Sequence, residues 1–181
     1  TARSRGLGDV YKRQDNDWAS SLAMTNDGSL YVAGAFRSNT STFGTHQLSN
    51  SDTTPRTLTT SPTSEAFLAR MDPSNGSWMW VSGFEGQAHS DWSVAIEPSV
   101  SGGVYVAGNY ASNSLAHDGR TLMSGWGDGG LTDAFVAEFN STGALLAYSS
   151  VFDPDASLEV SDLTVTTDGL VLLAGHYTGQ A

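Results

Sequence analysis

The chain's 181 residues carry 19 carboxylates against 8 basic side chains, a formal net charge of -11, which argues against nucleic acid as a partner because phosphate binding needs clustered Lys and Arg. There is no cysteine, so disulfides and thiolate metal sites are excluded, and no apolar run approaches the ~18 residues that a membrane-spanning helix needs. Taken in chain order, the first 14 residues stand apart. They hold Arg3, Arg5, Lys12 and Arg13, half of all the basic residues, and contribute a net +3 with Asp9, so the remainder carries -14 and no lysine at all. Residues 1–14 are expected to be a non-native or disordered leader, and residues 15–181 a single domain.

Residues 17–36 read DWASSLAMTNDGSLYVAGAF. Leu22 and Met24 alternate with Ser21 and Ala23, and Leu30, Val32 and Phe36 alternate with Tyr31, Ala33 and Ala35, the period of 2 that belongs to strands. The NDG between them supplies the positive φ of a tight hairpin turn. A long Ser/Thr-rich loop follows over residues 37–64, in which FGTHQL, starting at Phe43, has the makings of a small extra hairpin. EAFLARMDPSNGSWMWVS from Glu65 is a second hairpin around SNG, with Trp78 and Trp80 alternating with Met79 on an outer strand.

The pattern then repeats. DWSVAIEPSVSGGVYVAGNY (91–110) aligns with 17–36 without a gap, and LEVSDLTVTTDGLVLLAGHY (158–177) is a third copy, at offsets of 74 and then 67 residues. A second long loop, residues 111–132, contains SGWGDGG, and DAFVAEFNSTGALLAYSS from Asp133 returns the EAFLA hairpin one residue shorter in its turn. One unit is therefore two hairpins, or four antiparallel strands, and no segment keeps helical spacing. Repetition of such a unit predicts an all-β fold: a partial β-propeller of four-stranded antiparallel blades, with about two complete blades and the first hairpin of a third, over units 15–88, 89–155 and 156–181. A β-solenoid, its units stacked along a straight axis, is the alternative.

The D-x-a-x-x-x-x-x-x-G-x-[LV]-Y-V-A-G hairpin followed by [ED]-A-F-[LV]-A resembles the bacterial SBBP repeat, a family named for a seven-bladed β-propeller. YVAG at Tyr31 and Tyr105 and AF-x-A at Ala66 and Ala134 match well. The third copy departs, with LLAG in place of YVAG and Glu159 where the first two copies have Trp18 and Trp92. The leader separately resembles a translated sequencing-library adapter through DVYKRQ. The repeat resemblance implies a non-catalytic scaffold in an exported or cell-surface bacterial protein, binding a protein or glycan through its long loops, with neighbouring blades of the same chain completing the ring. The alternative it leaves is a module of a secreted carbohydrate-active enzyme whose active residues lie in other blades.

Candidate ligand contacts follow from the loops. Trp126 and Asp128 sit in the glycine-rich SGWGDGG, and Phe43 and His46 in FGTHQL. Trp18 and Trp92 hold equivalent places and are expected to pack one blade on the next. Asp15 and Asp17, and Asp153, Asp155, Glu159 and Asp162, could offer hard oxygen ligands to calcium, but neither stretch has a twelve-residue loop with glycine at its sixth place. Solvated turn acids are the expectation, with no cofactor and no metal. His46, His89, His117 and His176 lack zinc spacing. TNDGSLY from Thr25 resembles the Asp-box of sialidase-type propellers, yet that motif separates its Asp and Gly by one residue, whereas Asp27 and Gly28 adjoin. No nucleophile elbow, phosphate loop or matched carboxylate pair appears, and no catalytic residue is assigned.

Overall fold

The computed structural model describes residues 16–52, 63–86, 89–123 and 131–179; the expectations for residues 1–14 lie outside them. Among the described residues all regular structure is strand. β1 (Trp18–Met24) and β2 (Leu30–Phe36) form the first predicted hairpin, β3 (Thr40–Phe43) and β4 (His46–Ser49) the small extra one, and β5 (Glu65–Asp72) and β6 (Ser77–Gly83) the second. The first sheet runs β1-β2-β5-β6. After the short β7 (Glu85–Gly86) the unit is rebuilt as β8 (Asp91–Pro98), β9 (Val104–Tyr110), the inserted pair β10 (Ser114–His117) and β11 (Arg120–Met123), then β12 (Asp133–Phe139) and β13 (Leu145–Val151). The second sheet runs β8-β9-β12-β13, and β10 pairs with both β11 and β7. β14 (Ala156–Val165) and β15 (Val171–Gly179) form a two-stranded third sheet. Every strand pairing among the described residues is antiparallel, and each sheet is open.

Turn chemistry explains the hairpins. One glycine in each of NDG, SNG, SGG, STG and TDG (Gly28, Gly76, Gly102, Gly143 and Gly169) takes positive φ, between 75° and 87°, a region closed to most side chains. In the first turn Asp27 Oδ1 accepts the amide of Ser29 at 3.1 Å and the hydroxyl of Thr25. These bonds hold the Asp27 carboxyl down at about 2. Asn140 closes the STG turn in the same way, accepting from Thr142 N at 3.0 Å and Ala144 N at 2.9 Å.

The glycine of YVAG has a different reason. The pairings slip by one residue at Ala19/Ser21, Ser93/Ala95 and Val160/Asp162, so each unit carries a β-bulge at one equivalent place. The bulged backbone presses on Gly34, Gly108 and Gly175, where a Cβ would collide with the carbonyl oxygens of Trp18, Trp92 and Glu159 respectively. In the first two units the Phe of AF-x-A, Phe67 or Phe135, also lies against that glycine. A bulge on the outer strand corrects the reading of the tryptophans. Met71 pairs with Trp78 and Arg70 with Trp80, leaving Met79 as the extra residue. Trp78 and Trp80 therefore lie on opposite faces instead of sharing one.

The first and second sheets pack face to face. β8 lies against β1, β2 and β5, and β14 in turn lies against β8, β9 and β12. Between the first two sheets Tyr31, Ala33, Leu68 and Phe84 meet Ile96, Val106, Phe135 and Phe139 in one buried cluster, which Trp80 borders. Arg70 ties the sheets at one end: Nη1 donates to the Ser141 carbonyl at 2.8 Å, which also accepts Trp80 Nε1 at 3.1 Å. The far face of the first sheet is covered by its own inserted hairpin, with Phe43 and Leu48 on Phe67 and Trp78. The far face of the second, with Ala95, Ala107 and Ala134, is covered by Val160 and Leu163 of β14. Leu22 and Met24 are exposed and Ala23 is buried, so on β1 the alternation turns its large apolar side outward. Trp18 and Trp92 belong to none of these clusters; Arg37 lies over the Trp18 ring at 5.7 Å.

Gly108→Ala is expected to lower stability by about 1 to 3 kcal/mol, the scale of overpacking, because its Cβ meets both the Trp92 carbonyl and the Phe135 ring. Ala at Gly102 meets no atom and suffers only from its φ of 86°. Urea denaturation of the two variants checks the order.

Candidate functional site

Both inserted hairpins leave the sheet at the same place, after the last residue of β2 and of β9. An aspartate builds each departure. Asp17 Oδ1 accepts the amides of Arg37 at 2.9 Å and Ser38 at 3.1 Å, and Asp91 Oδ1 accepts those of Ala111 at 3.1 Å and Ser112 at 3.2 Å. These bonds satisfy backbone donors where the chain leaves the ladder. The hairpins close in tight two-residue turns, Gly44–Thr45 and Asp118–Gly119, with positive φ at Gly44, Asp118 and Gly119. Such primed turns match the strand twist.

Around Asp91 the end of the sheet becomes a buried polar network. Asp91 Oδ2 accepts the Ser112 hydroxyl at 2.7 Å, and Gly86 lies so close that any side chain there would strike the carboxyl. Glu65, buried at the start of β5, accepts the Ser51 amide at 2.5 Å, while the Ser51 hydroxyl donates to the Gly86 carbonyl at 2.6 Å. The Asp91 amide in turn donates to the Ser64 carbonyl at 2.7 Å, joining the second unit to the first. Burial pushes the Asp91 carboxyl up to about 7 against the opposing bonds from Ser112 and Ala111, and the Glu65 charge adds to it. Burial likewise raises Glu65. Both carboxyls are buried, and their hydrogen bonds brace the hairpin-bearing end.

The open feature beside it is a cleft of about 580 Å³ lined by Ser82, Gly83, Glu85, Ala116, His117, Asp118 and Gly119. His117 Nδ1 is 2.8 Å from the Gly83 carbonyl and therefore donates to it, which leaves Nε2 to accept the Ser82 hydroxyl at 3.3 Å. A serine against a histidine invites a nucleophile reading. The repeat argues otherwise. His117 pairs with Arg120 as Phe43 pairs with His46, so the two rings hold one structural position. His117 lies 5.0 Å from Phe84 and 5.1 Å from Phe139, and a carbonyl rather than a carboxylate orients it. It is an aromatic plug with two hydrogen bonds.

Of the sequence candidates, Phe43 is a plug too, buried 5.1 Å from Phe67 and 5.2 Å from Trp78. His46 is half-buried on β4 beside it. Trp126 and Asp128 lie outside the described residues, as does Asp15. The remaining carboxylates considered for calcium serve local turns and contacts: Asp153 Oδ1 accepts the Asp155 amide at 2.8 Å, Asp162 Oδ1 the Leu163 amide at 2.8 Å, and Glu159 lies 3.7 Å from His176. Among the described residues no three His, Cys, Asp or Glu converge as metal ligands, and no helix is long and apolar enough to cross a membrane. The Asp91–Glu65 network was missed from sequence, although Glu65 and Asp133 open the same motif and Asp17 and Asp91 the same hairpin. No protein-family model matches the chain, and no curated protein matches it.

Two outcomes follow for these side chains. The folded state holds the Asp91 proton more tightly than an unfolded aspartate at 3.8, so folding takes up a proton between about pH 4 and 7, and this group's contribution to stability declines as pH rises through that window. Asp91→Asn keeps both accepted amides, turns its NH2 on the Ser112 oxygen, and is expected to raise Tm more at pH 8 than at pH 5. A larger gain at pH 5 would contradict the assignment. Separately, His117→Phe should cost about 1 to 3 kcal/mol for the two lost hydrogen bonds, below the cost of His117→Ala, which also empties the position; chemical denaturation ranks them.

Proposed function

We propose that this chain is a non-catalytic β-propeller-type repeat scaffold of an exported or cell-surface bacterial protein, which binds a protein or glycan surface through the hairpin-bearing end of its sheets. The observation that carries the reading is the recurrence of one unit. The same four-stranded meander, with the same bulge and a hairpin inserted between its second and third strands, occurs twice, and each sheet offers the next the same strands to pack on. In a propeller, successive blades of this kind turn about a common axis, and the inserted hairpins would then crowd one rim. The motif resemblance of YVAG and AF-x-A supports the same reading and is the basis for placing the protein outside the cell.

The hairpins divide their residues between two tasks. Phe43, Leu115 and His117 point into the core, whereas Thr42, Gln47, Arg120 and Thr121 are exposed. Hydroxyl, amide and guanidinium groups on short rigid strands suit polar recognition of a sugar or a protein surface. Trp126 and Asp128, the sequence candidates of the second long loop, lie outside the described residues. Fold alone does not determine function, and the assignment of a ligand class rests on this exposed chemistry.

Exchanging whole loops for short turns would remove buried side chains, so the test uses the exposed ones. Thr42→Ala, Gln47→Ala, Arg120→Ala and Thr121→Ala combined should leave the far-UV spectrum and Tm unchanged and abolish retention on the glycan or protein that captures the parent chain. Retention unaffected by the four changes would move the site away from the hairpins.

A further inference from the structure

We propose that the cleft between the outer strand of the first unit and the inserted hairpin of the second receives a basic side chain, an arginine, of a partner protein. It is a different site from Thr42, Gln47, Arg120 and Thr121, and it stands whether or not those residues bind. Both walls of the cleft belong to paired strands inside the described chain. β7 carries Glu85 and pairs with β10, with Ala116 directly opposite Glu85 and Leu115 opposite Gly86. His117 fastens the same junction by donating to the Gly83 carbonyl at 2.8 Å. The recess has a simple origin. Glu85 stands opposite a single methyl at Ala116, and Gly83, two residues earlier, has no side chain, so space is left between Glu85 and Asp118 of the hairpin turn. Its volume of about 580 Å³ is that of a ligand pocket.

The lining decides the class of ligand. Glu85 and Asp118 are both acidic and exposed, and neither carboxylate has an ion-pair or hydrogen-bond partner among the described residues. The other polar side chains of the lining have no free donor. Ser82 gives its hydroxyl proton to His117 Nε2, and His117 gives its Nδ1 proton to Gly83. Arg120, two residues beyond Asp118, does not line the cleft and donates to the Leu146 carbonyl at 3.3 Å. The side chains therefore offer acceptors only. An anion is repelled, and a sugar hydroxyl, which accepts as well as donates, finds no side-chain donor there. A basic side chain brings donors alone. Guanidinium fits best, because its planar fork of five N–H groups can serve two carboxylates at once while its apolar stem lies along Ala116. Exposed acids at the lip put the cleft within reach of a side chain projecting from another protein.

The probe is acetyl-Gly-Arg-Gly-amide, titrated into the full-length chain and followed by NMR amide shifts. Saturable shifts centred on residues 82–85 and 116–119 are expected. Glu85→Gln combined with Asp118→Asn should weaken binding about tenfold, the scale of two exposed ion pairs together. Asn suits the left-handed turn position, where Asp118 has a φ of 46°, so this variant is expected to keep its far-UV spectrum. Ala116→Leu, which fills the recess without changing charge, should also weaken binding. Glu97→Gln combined with Asp155→Asn removes the same charge elsewhere and should bind like the parent. The four-residue variant at Thr42, Gln47, Arg120 and Thr121 should bind the peptide no less tightly than the parent, which separates the two sites. Dispersed or unsaturable shifts, equal weakening by the Glu97 and Asp155 pair, or equal binding of the neutral citrulline peptide would overturn the proposal. Methylguanidinium binding as tightly as the peptide would overturn it too, because the ligand would then be a free small cation.

Discussion

The ring of Phe84 lies 4.9 Å from Phe135, 5.0 Å from His117, and 5.9 Å from both Phe139 and Tyr148. It belongs to the segment that leaves the first sheet, yet all four of these neighbours belong to the second unit. Each four-stranded sheet is a thin layer with two apolar faces, and neither face can be buried by the four strands of the sheet itself. The contact around Phe84 answers this by joining the outer strand of one unit, the inserted hairpin of the next, and the inner strands of both. Truncating Phe84 would open a cavity in the core that the two sheets share.

The inserted hairpins follow from the same constraint. They are long enough to look like binding loops, and each sends one face inward at the place where a sheet would otherwise be open. In the second unit β10 pairs with β7 of the first and fills the space above Phe84. In the first unit, the equivalent hairpin covers Phe67 and Trp78 with Phe43 and Leu48. Function, where these hairpins carry it, is confined to their outer residues, because the inner ones hold the sheets together.

The polar network at Asp91 is the costly part of this arrangement. Two carboxyls, Glu65 and Asp91, are buried within one cluster of serines, and both hold their protons more tightly than exposed acids. What they contribute is geometry. Asp91 fixes the departure of β10 from β9 through two amides and, through its own amide, the position of the second unit on Ser64 of the first. A buried group that specifies arrangement at a cost in stability is a recurrent use of polar residues in cores.

Local chemistry was legible in the sequence. The positive-φ glycines at 28, 76, 102, 143 and 169, the period of 2, the offset of the repeats and the FGTHQL hairpin follow from backbone sterics and side-chain alternation, which act over a few residues. The all-β class and antiparallel meander are consequences of these. Three features required the tertiary structure. The bulge at Met79 sends Trp78 and Trp80 to opposite faces, and it is defined only by the register of β6 on the strand beside it. Phe43 and His117, aromatic or titratable residues on loops, read as ligand contacts or nothing in particular, and become equivalent plugs only once a sheet lies beneath them. The polar network around Asp91 and Glu65 joins residues of different units, and a carboxylate's burial depends on what the chain folds over it. Sequence determined which segments are strands and where they turn; long-range packing decided which side chains are inside.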